Sequence, residues 1–479
     1  MRAAAVLLHA SVALAALQVD LDSPASIKKA AKLVASDLMT YYHGNESGHT
    51  PGILPGPPPA GDYYWWQAGA MWGTLVDYWH YTGDKTYNDL TESSLVFQAG
   101  APQNCYMPPN WTASLGNDDQ GFWGMSAMLA AETNFQNPPA DQPQWLALAQ
   151  AVFNTQAAPD RHDDTCGGGL RWQIPPTNNG YNYKNTIANG ILFNMGARLA
   201  RYTGNSSYAD WSIKTWNWLE GVGFIDAKYN IYDGADIGTN CTNIQKPQFT
   251  YNAAVMMQGA AFMYNFTNGS SLWETRLEGL VNRSIEAFFS SPSGAAVEIA
   301  CEQKTKISCT TDMLSFKGYL HRWMASTAQV APFTHGTIMP VLRKSTAAAV
   351  KACSGGPNGR ACGFRWTTGA YDGLTGAGQQ MNVLAALSSL LLDEPSIVAP
   401  LTNGTGGTSR GDPGAGGDPF VDTSFAPITT GDRAGASILT VVVAGTLIAM
   451  VAWMSTSVSE ASVAGAGGLK KGGMFGGKW

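Results

Sequence analysis

The run Asn117-Asp118-Asp119-Gln120 has the clearest chemical meaning in the sequence, and it stands where a helical pattern begins. Adjacent carboxylates repel each other, so one ionises readily while the pKa of its neighbour rises. Glycoside hydrolysis needs such a division of roles, with carboxyl groups ~5–5.5 Å apart in retaining enzymes and ~6.5–9.5 Å apart in inverting ones. Asn and Asp are also preferred helix N-caps, and the pattern taken alone favours that structural interpretation.

Aromatic residues cluster at the start of an earlier helical pattern. Trp65, Trp72 and Trp79 recur every seven residues and therefore share one helical face. Core packing is the favoured interpretation for Trp72 and Trp79. Tyr64, Trp65 and Trp66 stand at the helix start, where they could form a platform that stacks against a sugar.

Other charged groups allow both structural and functional interpretations. Asp163-Asp164 lies in a polar loop and is typical of a solvated turn, whereas Asp233 and Asp236 fit a turn or a ligand contact equally well. Three cations lie at helical spacing among aromatic residues, where ion pairs and ligand contacts are equally plausible: Lys317, His321 and Arg322.

The composition points to an uncharged partner. Charged residues make up 13% of the chain, the net charge is −6, and the few basic residues are scattered, which excludes a general nucleic-acid binder. Aromatic and amide side chains are the groups that bind neutral sugars. No Gly-x-Ser-x-Gly, His-Glu-x-x-His or phosphate-loop motif occurs, and the histidines are dispersed, so we expect no metal and no cofactor.

The elements that must position these residues are helices. Apolar spacing and capping residues predict twelve of them in six pairs. They cover residues 26–43 and 66–82, 85–99 and 119–134, 142–157 and 186–203, 206–221 and 250–266, 271–290 and 313–330, and 336–352 and 376–392.

An internal repeat indicates how the helices are arranged. Tyr81-Thr82-Gly83-Asp84 recurs 121 residues later as Tyr202-Thr203-Gly204-Asn205, and a degenerate copy at 264–269 follows after 62 more. A period near 60 residues gives six helical hairpins that close into a ring. We therefore predict an all-α fold, an (α/α)6 toroid, with a concave site at its open end.

The two ends of the chain predict export and tethering. Residues 1–18 have the pattern of a signal peptide, and residues 19–395 form the predicted catalytic domain. Residues 396–433 are rich in Gly and Pro, typical of a linker. Residues 434–479 fit a hydrophobic anchor or a GPI signal with a polar extension. GPI attachment is favoured over a spanning helix, although the lysines after the apolar run fit the latter.

The cysteines and glycosylation motifs agree with an oxidising compartment. Eight Asn-x-Ser/Thr sequons occur, and seven cysteines lack the spacing of a zinc site. We expect the disulfides Cys301–Cys309 and Cys353–Cys362. Cys105–Cys166 is the next pairing, which leaves Cys241 odd.

Taken together, the chain resembles glycoside hydrolase family 76, the endo-α-1,6-mannanases, and especially its fungal branch of Defective Cell Wall and Defective for Filamentous Growth proteins. The resemblance covers residues 21–392. It rests on Tyr64-Trp65-Trp66-Gln67, Asn117-Asp118-Asp119-Gln120, Tyr183-Lys184-Asn185-Thr186, Thr250-Tyr251-Asn252-Ala253, Phe316-Lys317-Gly318 and Trp366 through Gly378.

The resemblance implies roles for these residues. Asp118 matches the nucleophile and Asp119 the acid/base of a retaining mechanism, which reverses the preference for simple capping. The implied substrate-binding residues are Tyr64, Trp65, Trp66, Gln67, Gln120, Asn185, Tyr251, Asn252, Lys317 and Asp372.

The resemblance also implies partners and a location. We expect α-1,6-mannose-containing glycans, including the GPI core glycan, as substrates, wall glucan as an acceptor, and a membrane contact through the C-terminal anchor. The protein is then a cell-surface or wall glycoprotein of the secretory pathway. Hydrolysis and transglycosylation both remain open, and the alternative is a catalytically silent, mannan-binding scaffold protein.

Overall fold

A computed structural model describes residues 16–111, 115–302, 306–417 and 430–463. Twelve α-helices occupy the first three of these ranges. Their bounds are α1 Pro24–Met39, α2 Trp65–Thr82, α3 Asn88–Phe97, α4 Asn117–Glu132, α5 Trp145–Ala157, α6 Thr186–Thr203, α7 Ser206–Gly221, α8 Thr250–Phe266, α9 Ser271–Phe288, α10 Phe316–Val330, α11 His335–Lys351 and α12 Ala377–Ser389.

The even-numbered helices form a closed inner ring. Each of α2, α4, α6, α8, α10 and α12 packs against the next, and α12 packs against α2. These helices are buried almost all round, as is expected for helices without a polar face. The odd-numbered helices pack outside them. The predicted (α/α)6 toroid is confirmed.

The repeated turn motif ends two inner helices in the expected way. Gly83 follows α2 with φ 77°, and Gly204 follows α6 with φ 75°. A residue with a Cβ is disfavoured in this left-handed conformation, so glycine is the preferred C′ residue. After Gly204, Asn205 accepts a hydrogen bond from the Ser207 amide and caps α7. Because inner helices are separated by one outer helix, they all run in the same direction.

Short strands shape the open end of the ring. β1 Tyr183–Asn185, β2 Gly234–Asp236 and β3 Ile244–Gln245 form an antiparallel sheet in the order β1-β2-β3. Lys184 pairs with Ala235, which brings the start of α6 beside Asp233. A second pair, β4 Cys353–Gly355 and β5 Ala361–Cys362, lies after α11.

Two of the three expected disulfides are present. Cys301–Cys309 and Cys353–Cys362 close short loops, as predicted. The predicted Cys105–Cys166 pair is wrong, because Cys166 bonds to Cys241 across 75 residues and Cys105 is a buried free thiol. The loop after α5 and the loop after β2 meet in space, a contact between distant segments that spacing along the chain does not reveal.

The segment predicted as a linker is partly packed on the toroid. Its Leu401 amide donates to the Glu132 carbonyl, Ser409 Oγ accepts from the Leu146 amide, and Asn154 donates to the Pro413 carbonyl. Up to Gly417 this segment is therefore part of the folded body rather than a free linker.

A separate unit comprises residues 422–479, of which α13 Thr430–Val463 is described. No helix in the described ranges is both long and apolar enough to cross a membrane. The predicted signal peptide lies almost wholly outside the described residues, as do parts of the predicted anchor region.

Candidate active site

A cleft of about 620 Å³ opens at the end of the ring where the inner helices begin. Its wall is built mainly from residues at or next to the first turns of α2, α4, α8 and α10, because parallel inner helices present their N-termini at one end. Those residues include Tyr64, Trp66, Asp118, Asp119, Tyr251 and Phe316. Helix N-termini carry partial positive charge, which favours the ionised form of carboxylates there.

Both aspartates of the pair face the cleft, and each is held by a hydrogen bond. Trp172 donates its indole N–H to Oδ2 of Asp118 at 2.9 Å. The Gly116 amide donates to Oδ2 of Asp119 at 2.6 Å, so Asp119 also caps α4. The other oxygen of Asp118, Oδ1, is buried and has no hydrogen-bond partner among the described residues.

Gly116 allows the two carboxylates to approach each other. A Cβ added there would lie 2.4 Å from Oδ1 of Asp118 and 2.9 Å from Oδ2 of Asp119. Since both oxygens lie that close to one point, they are separated by no more than these two lengths together, about 5.3 Å. This upper limit is compatible with the ~5–5.5 Å of retaining glycosidases and lies below the ~6.5–9.5 Å of inverting ones.

Burial shifts the pKa of both carboxyl groups upward. Burial, followed by the nearby charge of Asp119, raises the pKa of Asp118 well above its usual range. Burial raises the pKa of Asp119 to about 6, although the hydrogen bond from Gly116 opposes the shift. The pair therefore holds a proton at a pH where isolated aspartates would both be ionised.

Two further carboxyl groups line the cleft. Asp312 accepts a hydrogen bond from the Trp66 indole at 3.2 Å, and burial together with the charge of Asp119 raises its pKa to about 7. Asp233 accepts from the Tyr183 hydroxyl at 2.7 Å. No lysine or arginine is among the described residues of the wall, and no described cluster of side chains is arranged to hold a metal ion.

Four of the predicted substrate-binding residues lie on the cleft wall. They are Tyr64, Trp66, Asn185 and Tyr251. Tyr64 is the most accessible, with 42% of its surface exposed. Tyr251 stacks on Phe316 with ring centroids 3.8 Å apart, which gives one side of the cleft a continuous aromatic surface. A flat apolar wall of this kind suits the C–H face of a sugar ring.

Trp65 and Gln67, also predicted to bind substrate, do not line the cleft. Trp65 is buried and donates its indole N–H to Gln98. Gln67 is fully buried, accepts from the Tyr64 amide at 2.9 Å and donates to the Thr311 carbonyl. Gln67 therefore fixes the residues on either side of the cleft mouth rather than facing the cleft.

Gln120 and Asn252 are also set back from the cleft. Gln120 is buried and donates hydrogen bonds to the Cys105 carbonyl and to the Thr155 hydroxyl. Thr155 lies on α5, which packs against α4. Asn252 lies behind Asp233, with its Nδ2 3.5 Å from Oδ1 of that carboxylate. Its influence on the cleft is through the position of Asp233.

Lys317 and Asp372 are engaged within the protein. Lys317 is fully buried, 2.6 Å from a carboxylate oxygen of Glu302, and it donates to the Phe364 carbonyl. Asp372 accepts from the Phe364 amide, which ties the loop before α12 together. The structural ion pair that the sequence left open for Lys317 is the arrangement found.

Sequence reasoning missed several residues of the wall. Trp172, Asp312 and Phe249 come from long connections between helices, where no periodicity or capping signal marks them. The hydrogen bond from the Trp172 indole orients Asp118. The sequence does not show that this loop residue lies beside Asp118.

Comparison with known proteins finds one family profile and several similar sequences. The profile of Glycosyl hydrolase family 76 matches residues 26–403. Mannan endo-1,6-alpha-mannosidase DCW1 of Saccharomyces cerevisiae is 47% identical over 446 residues, which cover 92% of this chain and 95% of that protein. Mannan endo-1,6-alpha-mannosidase DFG5 of the same yeast is 41% identical, with 92% and 94% covered.

Solved structures give the same result for the fold. Dfg5 from Chaetomium thermophilum, determined in complex with glucosamine, is 56% identical with a TM-score of 0.80, covering 83% of this chain and 97% of that one. The GH76A alpha-1,6-mannanase of Salegentibacter sp. HEL1_6 is 18% identical with a TM-score of 0.58, covering 77% and 100%. The latter likeness concerns the fold alone.

Proposed function

The chain belongs to glycosyl hydrolase family 76, and we propose that it is a retaining enzyme that acts on α-1,6-linked mannose through Asp118 and Asp119. It is a glycoside hydrolase by family. The substrate is inferred from the yeast relatives, which are named mannan endo-1,6-alpha-mannosidases. The aromatic and carboxylate lining, without a cation among the described wall residues, suits a substrate that bears no phosphate or carboxylate at this point.

In the proposed first step, a carboxylate oxygen of Asp118 attacks the anomeric carbon while Asp119 gives its proton to the departing glycosidic oxygen. The C–O bond of the glycoside breaks, and a covalent mannosyl ester forms on Asp118. In the second step, the Asp119 carboxylate takes a proton from a water or a sugar hydroxyl as that oxygen attacks the same carbon. The ester bond breaks and Asp118 is regenerated.

The short separation between Oδ1 of Asp118 and Oδ2 of Asp119 is the observation that carries this proposal. A limit of about 5.3 Å lies below the ~6.5–9.5 Å at which an inverting enzyme places a water between its acid and its base, which supports a retaining mechanism.

The pKa directions fit a pair that shares one proton. The chemistry needs one ionised and one protonated carboxyl group, and the raised pKa values of Asp118 and Asp119 produce that state over a pH window. The free site favours the proton on Asp118, whereas the mechanism needs it on Asp119. Transfer of this proton from Asp118 to Asp119 supplies the required arrangement. The positive charge that develops at the anomeric carbon drives the transfer, because it favours an ionised Asp118.

The biological setting follows from the same relatives. The protein is a secreted or cell-surface enzyme of the fungal wall. We infer that its natural substrates include the mannose core of GPI-anchored proteins, and that wall glucan serves as an acceptor when a sugar replaces water. GPI attachment through the C-terminal segment remains part of this proposal.

Product analysis tests the proposal. The ectodomain, residues 19–421, is purified without the separate unit 422–479 and incubated with α-1,6-mannotetraose. The anomer of the newly formed reducing end is followed by NMR before mutarotation. We expect initial release of the α-anomer by the wild type and no turnover by Asp118→Asn. Asp119→Asn should retain turnover only on substrates with an activated leaving group, which needs little protonation.

Asparagine caps helices as well as aspartate does, so both variants should keep the fold. A loss of activity can then be assigned to the missing carboxylate rather than to unfolding. Initial release of the β-anomer would refute the retaining mechanism. Glycan binding without any turnover by the wild type would favour the scaffold alternative.

A further inference from the structure

A second cleft of about 590 Å³ lies beside outer helix α7. It is enclosed by outer helix α7, inner helix α6 and the loop 162–169 that follows α5. The two clefts are of similar size, and they share no described lining residue. Nothing in the proposed mechanism uses this second cleft.

Two tryptophans on one face of α7 form its wall. Trp211 and Trp218 are seven residues apart, so they lie on the same side of the helix, about 10.5 Å apart along its axis. Both are half-buried. An extended sugar chain of several residues is long enough to contact both indoles.

The position of Trp218 is fixed by the loop beneath it. Its indole N–H donates to the Cys166 carbonyl at 3.0 Å, and Cys166 is held by its disulfide to Cys241. A Cβ added at Gly169 would lie 2.4 Å from the Trp218 ring, so only glycine allows the loop to approach the indole this closely. Trp218 is therefore held in place before any ligand arrives, which lowers the entropy cost of binding.

Polar side chains beside the tryptophans make few contacts with the rest of the protein. Lys214, Asn217 and Asp164 are exposed, and none has a hydrogen bond to another described side chain or backbone group through its own side chain. Lys214 only lies over the Trp211 ring, at 4.2 Å from its centroid. These groups offer donors and acceptors at the edges of the aromatic wall.

Charges of both signs lie at this cleft. Asp163 is paired with two cations, Arg171 at 2.6 Å and Lys184 at 2.9 Å. Lys214 and Asp164 oppose each other, so these five side chains carry a net charge of only +1. No field of a single sign is concentrated here, which suits a neutral ligand better than a polyanion or a polycation.

From the fixed Trp218 indole, the exposed polar edges and the small net charge, we propose that this cleft is a second glycan-binding site, which takes a chain of uncharged hexoses from wall polysaccharide. Sugar C–H faces would stack on Trp211 and Trp218, and hydroxyl groups would bond to Lys214 and Asn217. The inference rests on the proposed function only in naming wall polysaccharide as the ligand. The site would hold the polymer on the protein surface and would take no part in cleavage.

Affinity electrophoresis of the ectodomain in gels containing soluble β-1,3-glucan or α-1,6-mannan tests this inference. The variants are Trp211→Ala and a double variant, Lys214→Ala with Asn217→Ala. Lys214 and Asn217 are exposed, so removal of their side chains should not disturb the fold. The matched control is Phe97→Ala, an exposed aromatic residue on outer helix α3 that lines neither cleft. Cleavage of α-1,6-mannotetraose is measured in parallel.

We expect wild type and Phe97→Ala to be retarded by at least one polymer, and Trp211→Ala to bind it about tenfold more weakly. The double variant should also bind more weakly, and tetraose cleavage should be unchanged in all. Retardation by glucan alone or mannan alone identifies the source of the chain.

Two results would overturn the inference: absence of retardation in the wild type, or wild-type retardation of both cleft variants. Loss of polymer binding together with tetraose cleavage in the double variant would also overturn it, because the second site would then not be separate. Failure of the wild type to cleave tetraose, with polymer binding intact and sensitive to Trp211, would count against the proposed function only.

Discussion

Replacing Gly116 by alanine should disable the aspartate pair while leaving the fold intact. The backbone at Gly116 is extended, with φ −90° and ψ 161°, so alanine can adopt it. The new Cβ would lie 2.4 Å from Oδ1 of Asp118, whereas ordinary contacts begin at 3.4 Å. The carboxylate must therefore move by about 1 Å, and a misplacement of this size can lower a rate by about 10²-fold.

The stability of this variant should change little. Alanine is a poorer N-cap than glycine, but it also restricts the unfolded chain, which contributes about 0.4–1 kcal/mol in the opposite sense. We expect a shift of the melting temperature of about 2 °C or less.

The assay compares kcat/KM on α-1,6-mannotetraose with melting followed by circular dichroism. Gly336→Ala is the matched control, because a Cβ there meets nothing within 4 Å. It should retain wild-type activity. If Gly116→Ala stays within about twofold of the wild type while folded, the spacing of the carboxylates does not set the rate as argued.

Three further predictions concern protons and hydrogen bonds. Because the catalytic pair must hold a single proton, kcat/KM should rise as pH increases through about 6, the pKa of Asp119, and fall at higher pH when the second proton leaves; a rate that only declines above about pH 4 would contradict this. Trp172→Phe removes the N–H donor to Asp118, so we expect kcat to fall by about tenfold or more, and an unchanged kcat would show that the bond is dispensable. Burial raises the pKa of Glu298 from 4.5 to about 8, so the folded protein binds more protons than the unfolded chain between these values, and stability should decline as pH rises from about 4.5 to 8. Glu298→Gln, which can still accept from Thr250, should flatten that decline in melting temperature, and parallel profiles would refute the assignment.

The helical ring could be predicted because its signals are local. Apolar periodicity identifies helices, and Gly83 and Gly204 mark the ends of α2 and α6 through the left-handed conformation that glycine tolerates. The pair Asp118-Asp119 could also be identified from the sequence. The two residues are adjacent, stand at a predicted helix start and belong to a motif that the chain shares with a known family. These features depend on neighbours within a few positions.

The rest of the site depends on contacts between distant segments. Trp172 reaches Asp118 from a loop 54 residues away, and Asp312 reaches Trp66 across 246 residues. A motif shared with a family also does not separate residues that face the substrate from those that support them. Lys317 belongs to one of these shared motifs, yet its ammonium group pairs with the buried Glu302 and does not face the cleft.

Covalent trapping tests the central claim most directly. The ectodomain is treated with a mannose-configured, mechanism-based inactivator that forms a slowly hydrolysed ester, and peptides are then mapped by mass spectrometry, with Asp118→Asn and Asp119→Asn as controls. We predict stoichiometric labelling of Asp118 in the wild type, none at residue 118 in Asp118→Asn, and protection by α-1,6-mannotetraose. Labelling of Asp119 or of another cleft carboxylate in the wild type, or inactivation without any covalent adduct, would contradict the account.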